Sequence, residues 1–272
     1  CSTIAEEKIT FTGGVPTIWM MLYDYLEKGG THDFSSLKTI FSGGSACPPA
    51  LMKGLNEKYG FPIRQAYGMT ETSPMALVSL TKSYMADWPT DRIYDIRGSA
   101  GIPALGVEMK IINERGTEVK MDGKEWGEIY LRGPWITKEY FKDPETTRNT
   151  FIDGWLHTGD IGTIDEEGYV RLVDRKKDLI KSGGEWISSV DIENTLMTCP
   201  KIMEAAVIGI PDAKWQERPM ACIALYPGET ITCQEIKDHL KGKITTWWIP
   251  EHYTTMDQIP KTSVGKFNKR EL

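Results

Sequence analysis

The sequence predicts an α/β region built on a parallel sheet, then a β-rich subdomain, then a small α+β domain. Three observations carry this prediction. Strand and helix patterns alternate in the first third, short strands dominate the middle, and a charge cluster at residues 174–178 precedes a last segment with both element types. Strict alternation is typical of parallel sheets in α/β domains. We therefore expect an α/β part at residues 1–90 and a β subdomain at residues 96–173, together a larger domain of residues 1–174, followed by an α+β domain at residues 175–272.

Composition and charge are those of an ordinary globular protein. The 272 residues are 40% hydrophobic and 26% charged, with a formal net charge of −6. Proteins that mainly bind nucleic acid usually carry a basic surface, so we expect no nucleic-acid partner. No apolar stretch approaches the roughly 20 residues that cross a bilayer, so no transmembrane segment is predicted. Five scattered cysteines without a Cys-x-x-Cys pair favour a reducing, cytoplasmic location.

The first part of the chain alternates helices and strands. Its predicted elements are a helix at residues 15–28, a strand at residues 37–41, a helix from Pro48 to about Tyr59 and a strand at residues 63–67. A proline in the first turn of a helix is tolerated because its missing N–H would be unpaired there. Glycines after both helices, at Gly29 and Gly60, are typical helix stops.

The middle and last parts have shorter elements. Residues 108–113, 127–132 and 169–173 are predicted strands of a mostly antiparallel sheet, because Gly, Asp and Asn clusters separate them. Beyond the charge cluster we predict a helix at residues 189–197, strands at residues 205–210 and 221–226, and a helix at residues 232–240. Thr232 and Glu235 form the capping-box pattern that begins such a helix.

Polar residues follow two neighbouring strands of the predicted parallel sheet. They are the turn Ser42-Gly43-Gly44-Ser45 and the segment from Gln65 to Glu71. Ligands collect at the carboxyl ends of such strands. Glu71 could hold Mg²⁺ and Thr70 could bond phosphate, while Tyr67 could stack on a base. The alternative is a plain helix start, with Thr70 as N-cap and Glu71 near the helix dipole, and these residues alone favour it.

Further candidates lie later in the chain. Asp160 is predicted in a tight turn within WLHTGD, where its carboxylate could accept both ribose hydroxyls, although a plain turn aspartate is commoner. Lys181 precedes a glycine turn and Lys266 follows a flexible loop. A lysine is usually a solvated surface charge, whereas one aimed at developing negative charge contributes about 10²–10³-fold to a rate.

Taken in order, five segments resemble the motifs of the adenylate-forming superfamily, which includes acyl-CoA synthetases, luciferases and peptide-synthetase adenylation domains. They are YGMTE, GEIYLRGPWITKEYF, WLHTGD, DRKKDLIKSGGEWI and PKTSVGK, and the resemblance covers essentially the whole chain. The segment SGGEWISSVDIEN is most similar to the corresponding segment of medium- and long-chain fatty-acyl-CoA synthetases. The resemblance implies a partial AMP-binding large domain with a mobile C-terminal domain. It also implies that a carboxylic acid reacts with ATP and Mg²⁺ to acyl-AMP and then with coenzyme A; a homodimer is compatible with it.

The resemblance assigns roles to matching residues of the large domain. The adenine and acyl-carbonyl side of the pocket would be lined by Gly44, Ser45, Gln65, Ala66 and Tyr67. Thr70 would contact phosphate and Glu71 would hold Mg²⁺. Trp19 lies where similar synthetases place an aromatic residue near the acyl tunnel, and a core tryptophan on an amphipathic helix is an equal alternative.

The resemblance also assigns roles to residues near and within the last domain. Asp160 and Arg175 would hold the ribose, and Lys177 would be the hinge about which the small domain rotates between the two steps. Lys266 would neutralise charge in the first step. The surface presented in the thioester-forming state would include Lys181, Gly183, Gly184 and Trp186, with Lys181 also near the phosphate.

One feature of the superfamily has no counterpart in these residues. Its Ser/Thr/Gly-rich phosphate loop is absent from the 272 residues, so we expect the C-terminal half of a synthetase that makes little acyl-AMP by itself. Robust ATP–pyrophosphate exchange by this chain alone would contradict that expectation. The alternatives are an aryl- or short-chain acid–CoA ligase, and an inactive remnant that binds AMP.

Overall fold

A computed structural model describes residues 1–262 and 267–272 of the chain. The helices of these residues are α1 (Ser2–Glu6), α2 (Pro16–Glu27), α3 (Pro49–Tyr59), α4 (Thr90–Arg97), α5 (Pro144–Thr150), α6 (Ser189–Leu196) and α7 (Cys233–Leu240). The strands are β1 (Phe11–Gly14), β2 (Thr39–Ser42), β3 (Ile63–Gly68), β4 (Met75–Val78), β5 (Ile102–Pro103), β6 (Glu108–Ile112), β7 (Trp126–Arg132), β8 (Phe151–Ile152), β9 (Trp155–Ile164), β10 (Val170–Arg175), β11 (Ile180–Ser182), β12 (Glu185–Ile187), β13 (Ile202–Asp212), β14 (Gln216–Leu225) and β15 (His252–Thr255).

The first sheet has the strand order β1-β2-β3-β4-β5, and its first three strands are parallel. Strand β4 runs antiparallel to β3, and β5 runs antiparallel to β4. Helices α2 and α3 follow β1 and β2 along the chain, so the predicted α/β alternation is confirmed. Trp19 and Leu26 of α2 are buried in one core cluster with Ile40 of β2 and Leu55 of α3. The opposite face of α2 is apolar but exposed, with Met21 72% accessible.

The second sheet has the order β10-β9-β7-β6, with β8 paired to β9. Strands β6 and β7 are antiparallel, as are β8 and β9, and their buried side chains include Ile111, Ile129 and Leu131. The prediction that Asp160 occupies a tight turn is wrong. Asp160 lies inside the ten-residue strand β9, which is paired to a strand on either side. The strand continues through Gly159 although this residue has a φ of 69°, because β9 is paired along both of its edges.

The third sheet has the order β12-β11-β14-β13, with β15 parallel to β14 on a side branch. Helices α6 and α7 contribute Ile192, Leu196, Ile236 and Leu240 to the core that covers this sheet. The predicted capping box at α7 is confirmed. Thr232 Oγ1 accepts from the Glu235 N–H at 3.2 Å, while Glu235 Oε2 accepts from the Thr232 N–H at 2.8 Å.

The chain divides into two compact units. The first comprises Cys1–Thr158 with Gly162–Leu172, and the second comprises Gly159–Ile161 with Val173–Leu272. In the two described ranges, no helix combines the length and the apolar character that crossing a bilayer requires.

Candidate functional site

The turn after β2 is braced by the side chain of Gln65 from β3. Gln65 is 4% exposed, its Nε2 donates to the carbonyl of Ser45 at 2.9 Å, and its Oε1 accepts from the N–H of Cys47 at 3.0 Å. A Cβ on Gly43 would lie 3.1 Å from the carbonyl oxygen of Ala66, so the turn also packs closely on β3. The structure therefore brings Gly44, Ser45, Gln65 and Ala66 together, as the resemblance implies.

The end of β3 leads into the acidic segment through a close backbone contact. Gly68 lies so near the carbonyl of Pro74 that an added Cβ would be 1.8 Å from its oxygen, so only glycine fits there. Tyr67 is 7% exposed and belongs to a core cluster with Leu77 and Ile129. This is the environment of a core tyrosine, and contact between its ring and an adenine base stays a prediction.

Glu71 lies in the 3₁₀ turn Thr70–Thr72, at the carboxyl end of β3. Its Oε1 accepts a hydrogen bond from the phenol of Tyr140 at 2.6 Å, and its backbone carbonyl accepts from the N–H of Thr137 at 2.9 Å. The alternative in which Thr70 caps a helix is wrong. Met69 is the N-cap, and the hydroxyl that accepts from its N–H, at 2.9 Å, belongs to the buried Thr72. Thr70 itself is exposed.

The oxygens of Glu71 suit a magnesium ion that is bound mainly by substrate. Only Oε1 takes a hydrogen bond from the described residues, and Oε2 takes none from them. Across residues 1–262 and 267–272 no three His, Cys, Asp or Glu side chains cluster as a metal cage. Magnesium in nucleotide sites is usually held by one or two carboxylates together with phosphate oxygens and water. A single carboxylate at a strand end therefore fits Mg²⁺ delivered with a nucleotide.

Asp160 and Arg175 face each other across β9 and β10. Arg175 Nε lies 3.7 Å from Asp160 Oδ1, with the aspartate side chain 15% exposed and the arginine 51% exposed. The backbone of Arg175 is fixed too, because its N–H donates to Asp174 Oδ1 at 2.7 Å and its carbonyl accepts from the N–H of Asp178 at 2.8 Å. The structure brings this predicted pair together, and its contact with a ribose stays a prediction.

Lys177 lies in the turn that joins β10 to β11. Its side chain is exposed, and the turn is closed by the hydrogen bonds that Arg175 accepts from Asp178 and Leu179. A short exposed turn between two strands is the kind of segment that absorbs a change of backbone angles in a hinge.

The other predicted group of the second unit forms a β-hairpin. Ser182 pairs with Glu185, and the two-residue loop Gly183-Gly184 has φ angles of 61° and 85°. Two positive φ angles are the mark of a type I′ turn, which favours glycine. Lys181 pairs with Trp186 across the hairpin, and its ammonium lies 4.4 Å from the centre of the indole ring. A role of this surface in the thioester step stays a prediction.

For two of the predicted site residues, Lys266 and Trp19, the part of the chain that the structure describes shows no contact with the other predicted site residues. Lys266 lies outside the described residues. Trp19 is 4% exposed within the core of the first unit, and its Nε1 finds no hydrogen-bond acceptor among the described residues. The environment of Trp19 is that of a core residue, and a contact with an acyl chain stays a prediction.

Two structural features escaped the reasoning from sequence. Tyr140 holds Glu71, and Asp174, at the end of β10, is joined to the start of helix α6 by the hydrogen bond that it accepts from the N–H of Ser189 at 2.7 Å. The only sequence signal for Tyr140 was its position in the family-like segment GEIYLRGPWITKEYF. Asp174 belongs to the charge cluster at residues 174–178, yet its side chain is only 5% exposed.

The comparisons with known proteins identify the family. The profile of the family described as AMP-binding enzyme matches residues 1–141, and that of the AMP-binding enzyme C-terminal domain matches residues 191–266. The chain belongs to the AMP-binding enzyme family of the adenylate-forming superfamily, so the resemblance seen in the sequence is confirmed.

Among curated proteins, the chain is similar to acid–CoA ligases. It is 47% identical over 268 residues to the long-chain-fatty-acid–CoA ligase of Thermus thermophilus, covering 98% of this chain and 49% of the relative. It is 37% identical over 270 residues to the medium-chain-fatty-acid–CoA ligase of Ectopseudomonas oleovorans, covering 99% and 49%. The chain therefore spans about half the length of these relatives.

The chain is also similar to solved structures of CoA synthetases. The o-succinylbenzoate CoA synthetase of Bacillus subtilis, in complex with its acyl-adenylate intermediate, superposes with a TM-score of 0.84 at 32% identity, covering 98% of this chain and 51% of that one. The same enzyme in complex with ATP and magnesium ion gives a TM-score of 0.83 at 31% identity, covering 98% and 52%. The predicted fold class, a partial large domain with a C-terminal α+β domain, is confirmed.

Proposed function

We propose that the protein to which this chain belongs is an AMP-forming acid–CoA ligase that acts on a medium- or long-chain fatty acid. In the first step an oxygen of the acid attacks the α-phosphorus of ATP, the bond to the bridging β-phosphate oxygen breaks, and pyrophosphate leaves. In the second step the thiol sulfur of CoA attacks the acyl carbonyl carbon and loses its proton, and AMP leaves.

The observation that carries this proposal is the placement of Glu71. Its carboxylate lies at the carboxyl end of a parallel strand, with one oxygen held by Tyr140 and the other unbonded within the described residues. Bound there, Mg²⁺ would neutralise phosphate charge, and Thr70 is adjacent to bond a phosphate oxygen. Gln65 keeps the Gly44-Ser45 turn in place beside the same strand end, so the backbone there is already ordered when nucleotide binds.

The residues of the second unit would complete the two steps. The Asp160 carboxylate offers two acceptor oxygens for the ribose hydroxyls, and Arg175 lies beside it. Lys266 would offset the charge that develops when the acid meets the α-phosphate, and the Lys181 hairpin would serve the CoA step. Rotation about Lys177 would exchange these two surfaces, since one active site admits only one of them at a time.

The choice of fatty acid rests on the relatives. The 47% and 37% identical proteins are named as ligases of long-chain and medium-chain fatty acids. Aryl acids are the alternative substrate class, because a 34% identical relative from Amycolatopsis sp. is named feruloyl-CoA synthase.

The test is pyrophosphate exchange into ATP by the full-length protein, with a panel of fatty, short-chain and aryl acids. We expect exchange with medium- and long-chain fatty acids and CoA-ester formation from the same acids. Preference for an aryl or short-chain acid would replace the fatty-acid assignment. Nucleotide binding without exchange on any acid would instead show an inactive AMP-binding protein.

A further inference from the structure

A buried arginine lies beside the Lys181 hairpin of the second unit. Arg218, on strand β14, is only 4% exposed although its side chain is charged. Its Nη1 donates to Ser182 Oγ at 3.2 Å and to the backbone carbonyl of Trp247 at 3.0 Å. Ser182 directly precedes the glycine loop of the hairpin. Arg218 therefore joins the hairpin to the 3₁₀ turn Thr246–Trp248.

The guanidinium also lies over the indole of Trp247, with Arg218 Cζ 4.2 Å from the centre of the ring. Arg218 Nη2 lies 3.5 Å from Glu251 Oε1, a carboxylate whose side chain is 66% exposed. Arg218 Nε finds no acceptor among the described residues. A planar guanidinium presents its donors in a rigid fork, which the ammonium of lysine does not. Arg218 thus fixes both the carbonyl and the ring of Trp247 relative to the hairpin.

Two tryptophans connect this arrangement to the glycine loop. Trp247 packs against Trp215 edge to face, with ring centres 4.8 Å apart and an interplanar angle of 84°. An added Cβ on Gly183 would lie 3.0 Å from the ring of Trp215 and 3.4 Å from that of Trp247. The N–H of Gly183 donates to the carbonyl of Trp215 at 2.9 Å. The loop therefore packs against both rings, and a shift of Trp247 would move the surface that supports it.

The base of the hairpin has attachments of its own. The backbone N–H of Lys181 donates to Glu217 Oε2 at 2.8 Å. Ser182 pairs with Gln216 of strand β14. These contacts do not involve the guanidinium, so the hairpin can stay attached to the sheet without it. What Arg218 adds is the position of the loop at the hairpin's end.

The fold itself gives little reason for a charge at this place. Burying a charged side chain costs free energy, and a largely exposed carboxylate at 3.5 Å offsets little of that cost. Replacing buried ion pairs with apolar residues is often neutral or stabilising. The guanidinium provides instead one fixed geometry for the segments that it joins, and one of these is the hairpin that the proposed function assigns to the CoA step.

We propose that Arg218 is a positioning residue for the Gly183-Gly184 loop in the CoA step. Through Ser182 and Trp247, it sets where the loop lies when the Lys181 hairpin serves that step. The arginine itself contacts no substrate in this role. The inference rests on the proposed function, since it assigns Arg218 a part in the second step of that reaction and none in the first.

The test compares the two half-reactions in the full-length protein. Arg218→Met keeps much of the length of the side chain and removes the guanidinium. We expect kcat/KM for CoA, measured on supplied acyl-AMP, to fall about 10²-fold, because a misplacement of about 1 Å costs that much. For ATP–pyrophosphate exchange, kcat and KM for ATP should change less than about threefold, because the loop takes no part in that step. A residue that only stabilised the fold would not separate the two half-reactions.

A second variant guards against misfolding. Ser182→Ala removes only the hydroxyl that accepts from Arg218, and the backbone pairing with Gln216 can remain. It should lower kcat/KM for CoA about tenfold, the equivalent of one hydrogen bond to a charged group, and leave exchange unchanged. The matched control is Lys214→Met. Lys214 is also a cation over an indole, 4.3 Å from the centre of the Trp215 ring, but it is exposed, and its loss should leave both half-reactions unchanged.

The outcomes separate this inference from the proposed function. Equal losses of both half-reactions in Ser182→Ala, or no loss in either, overturn the positioning role while the ligase activity of the wild type stands. The same results in Arg218→Met overturn it too, and if that variant does not fold, Ser182→Ala alone decides. A wild-type protein that exchanges pyrophosphate with no acid, or forms no CoA ester, overturns the proposed function and the inference together. A selective loss of the CoA step supports both.

Discussion

The phenol of Tyr140 donates to Glu71 Oε1 across 2.6 Å, between residues 69 positions apart in the chain. Burial, followed by the contact with Glu71, raises the pKa of Tyr140 to about 12, so the phenol keeps its proton at neutral pH and remains a donor. A carboxylate held at one oxygen presents the other in a fixed direction. We infer that Tyr140 sets the orientation of the proposed magnesium ligand.

Tyr140→Phe tests that relationship. A hydrogen bond to a charged group contributes about 1.5–3 kcal/mol, so its loss should raise the Mg²⁺ concentration for half-maximal pyrophosphate exchange by about tenfold or more. Direct titration with Mn²⁺, followed by electron paramagnetic resonance in the presence of ATP, should show the same weakening. KM for the acid should be unaffected.

The matched control for this experiment is Tyr84→Phe. Tyr84 also donates its phenol proton to a carboxylate, that of Glu167, but on an exposed part of the same unit. It should not alter the metal dependence. An unchanged metal dependence in Tyr140→Phe would show that the bond to Glu71 only joins two segments of the fold.

Asp160→Asn should weaken nucleotide binding. The amide keeps one acceptor oxygen but replaces the other with a donor, and it loses the charge that faces Arg175 at 3.7 Å. We expect Kd for AMP, measured by calorimetry on the full-length protein, to rise about tenfold, the equivalent of one charged hydrogen bond. Asp95→Asn, which breaks an exposed ion pair with Arg171, is the control. Equal Kd values for the Asp160 variant and the wild type would remove Asp160 from the ribose site.

Trp19→Ala separates a tunnel residue from a core residue. Removing a buried tryptophan costs about 3–5 kcal/mol of folding free energy whichever role it has, so stability alone does not decide. The informative measurement is kcat/KM across fatty acids of increasing length. We expect that profile to change more than KM for ATP. The control, Leu26→Ala, removes a buried side chain from the same core cluster about two turns further along α2 and should keep the profile. An unaltered profile in Trp19→Ala would identify a core residue only.

The capping box of α7 should make stability depend on pH. Hydrogen bonds from Lys201 and then from Thr232 lower the pKa of Glu235 from 4.5 to about 2. Because the folded-state pKa is the lower one, the stabilisation is complete above about pH 4.5 and is lost as the pH falls toward 2. Glu235→Gln should therefore lower Tm at pH 7 and have little effect near pH 2. Asp238→Asn, on the same helix outside the cap, is the control, and a Tm difference that is constant with pH would contradict the prediction.

Local features of the fold were predictable from the sequence. The Thr232–Glu235 cap and the helix stop at Gly60 depend on residues a few positions apart, and both occur as expected. The prediction of a tight turn at Asp160 was wrong because the segment WLHTGD is paired to strands on both sides and belongs to β9, even with Gly159 at a φ of 69°. Local propensity is a weak guide where pairing on both sides determines the backbone.

The candidate site was predictable only as a set of residues. The resemblance to the superfamily identified Glu71 and Asp160 as site residues, but it did not identify the residues that fix their side chains by hydrogen bonds. Tyr140 reaches Glu71 from 69 positions away, and Arg218 reaches Ser182 from 36 positions away. Such contacts depend on how strands and helices stack, and no periodicity within a short window encodes them.

Strand β1 is the terminal strand of the first sheet, and its Phe11 is 58% exposed. The unpaired N–H and C=O groups of an edge strand can form hydrogen bonds with a strand of another polypeptide. We therefore expect preparations of the 272-residue chain to self-associate through this edge strand. An oligomer of the 272-residue chain would then report on this edge strand. A homodimer of the longer protein therefore has to be tested on that protein itself, by mass measurement in solution at several concentrations.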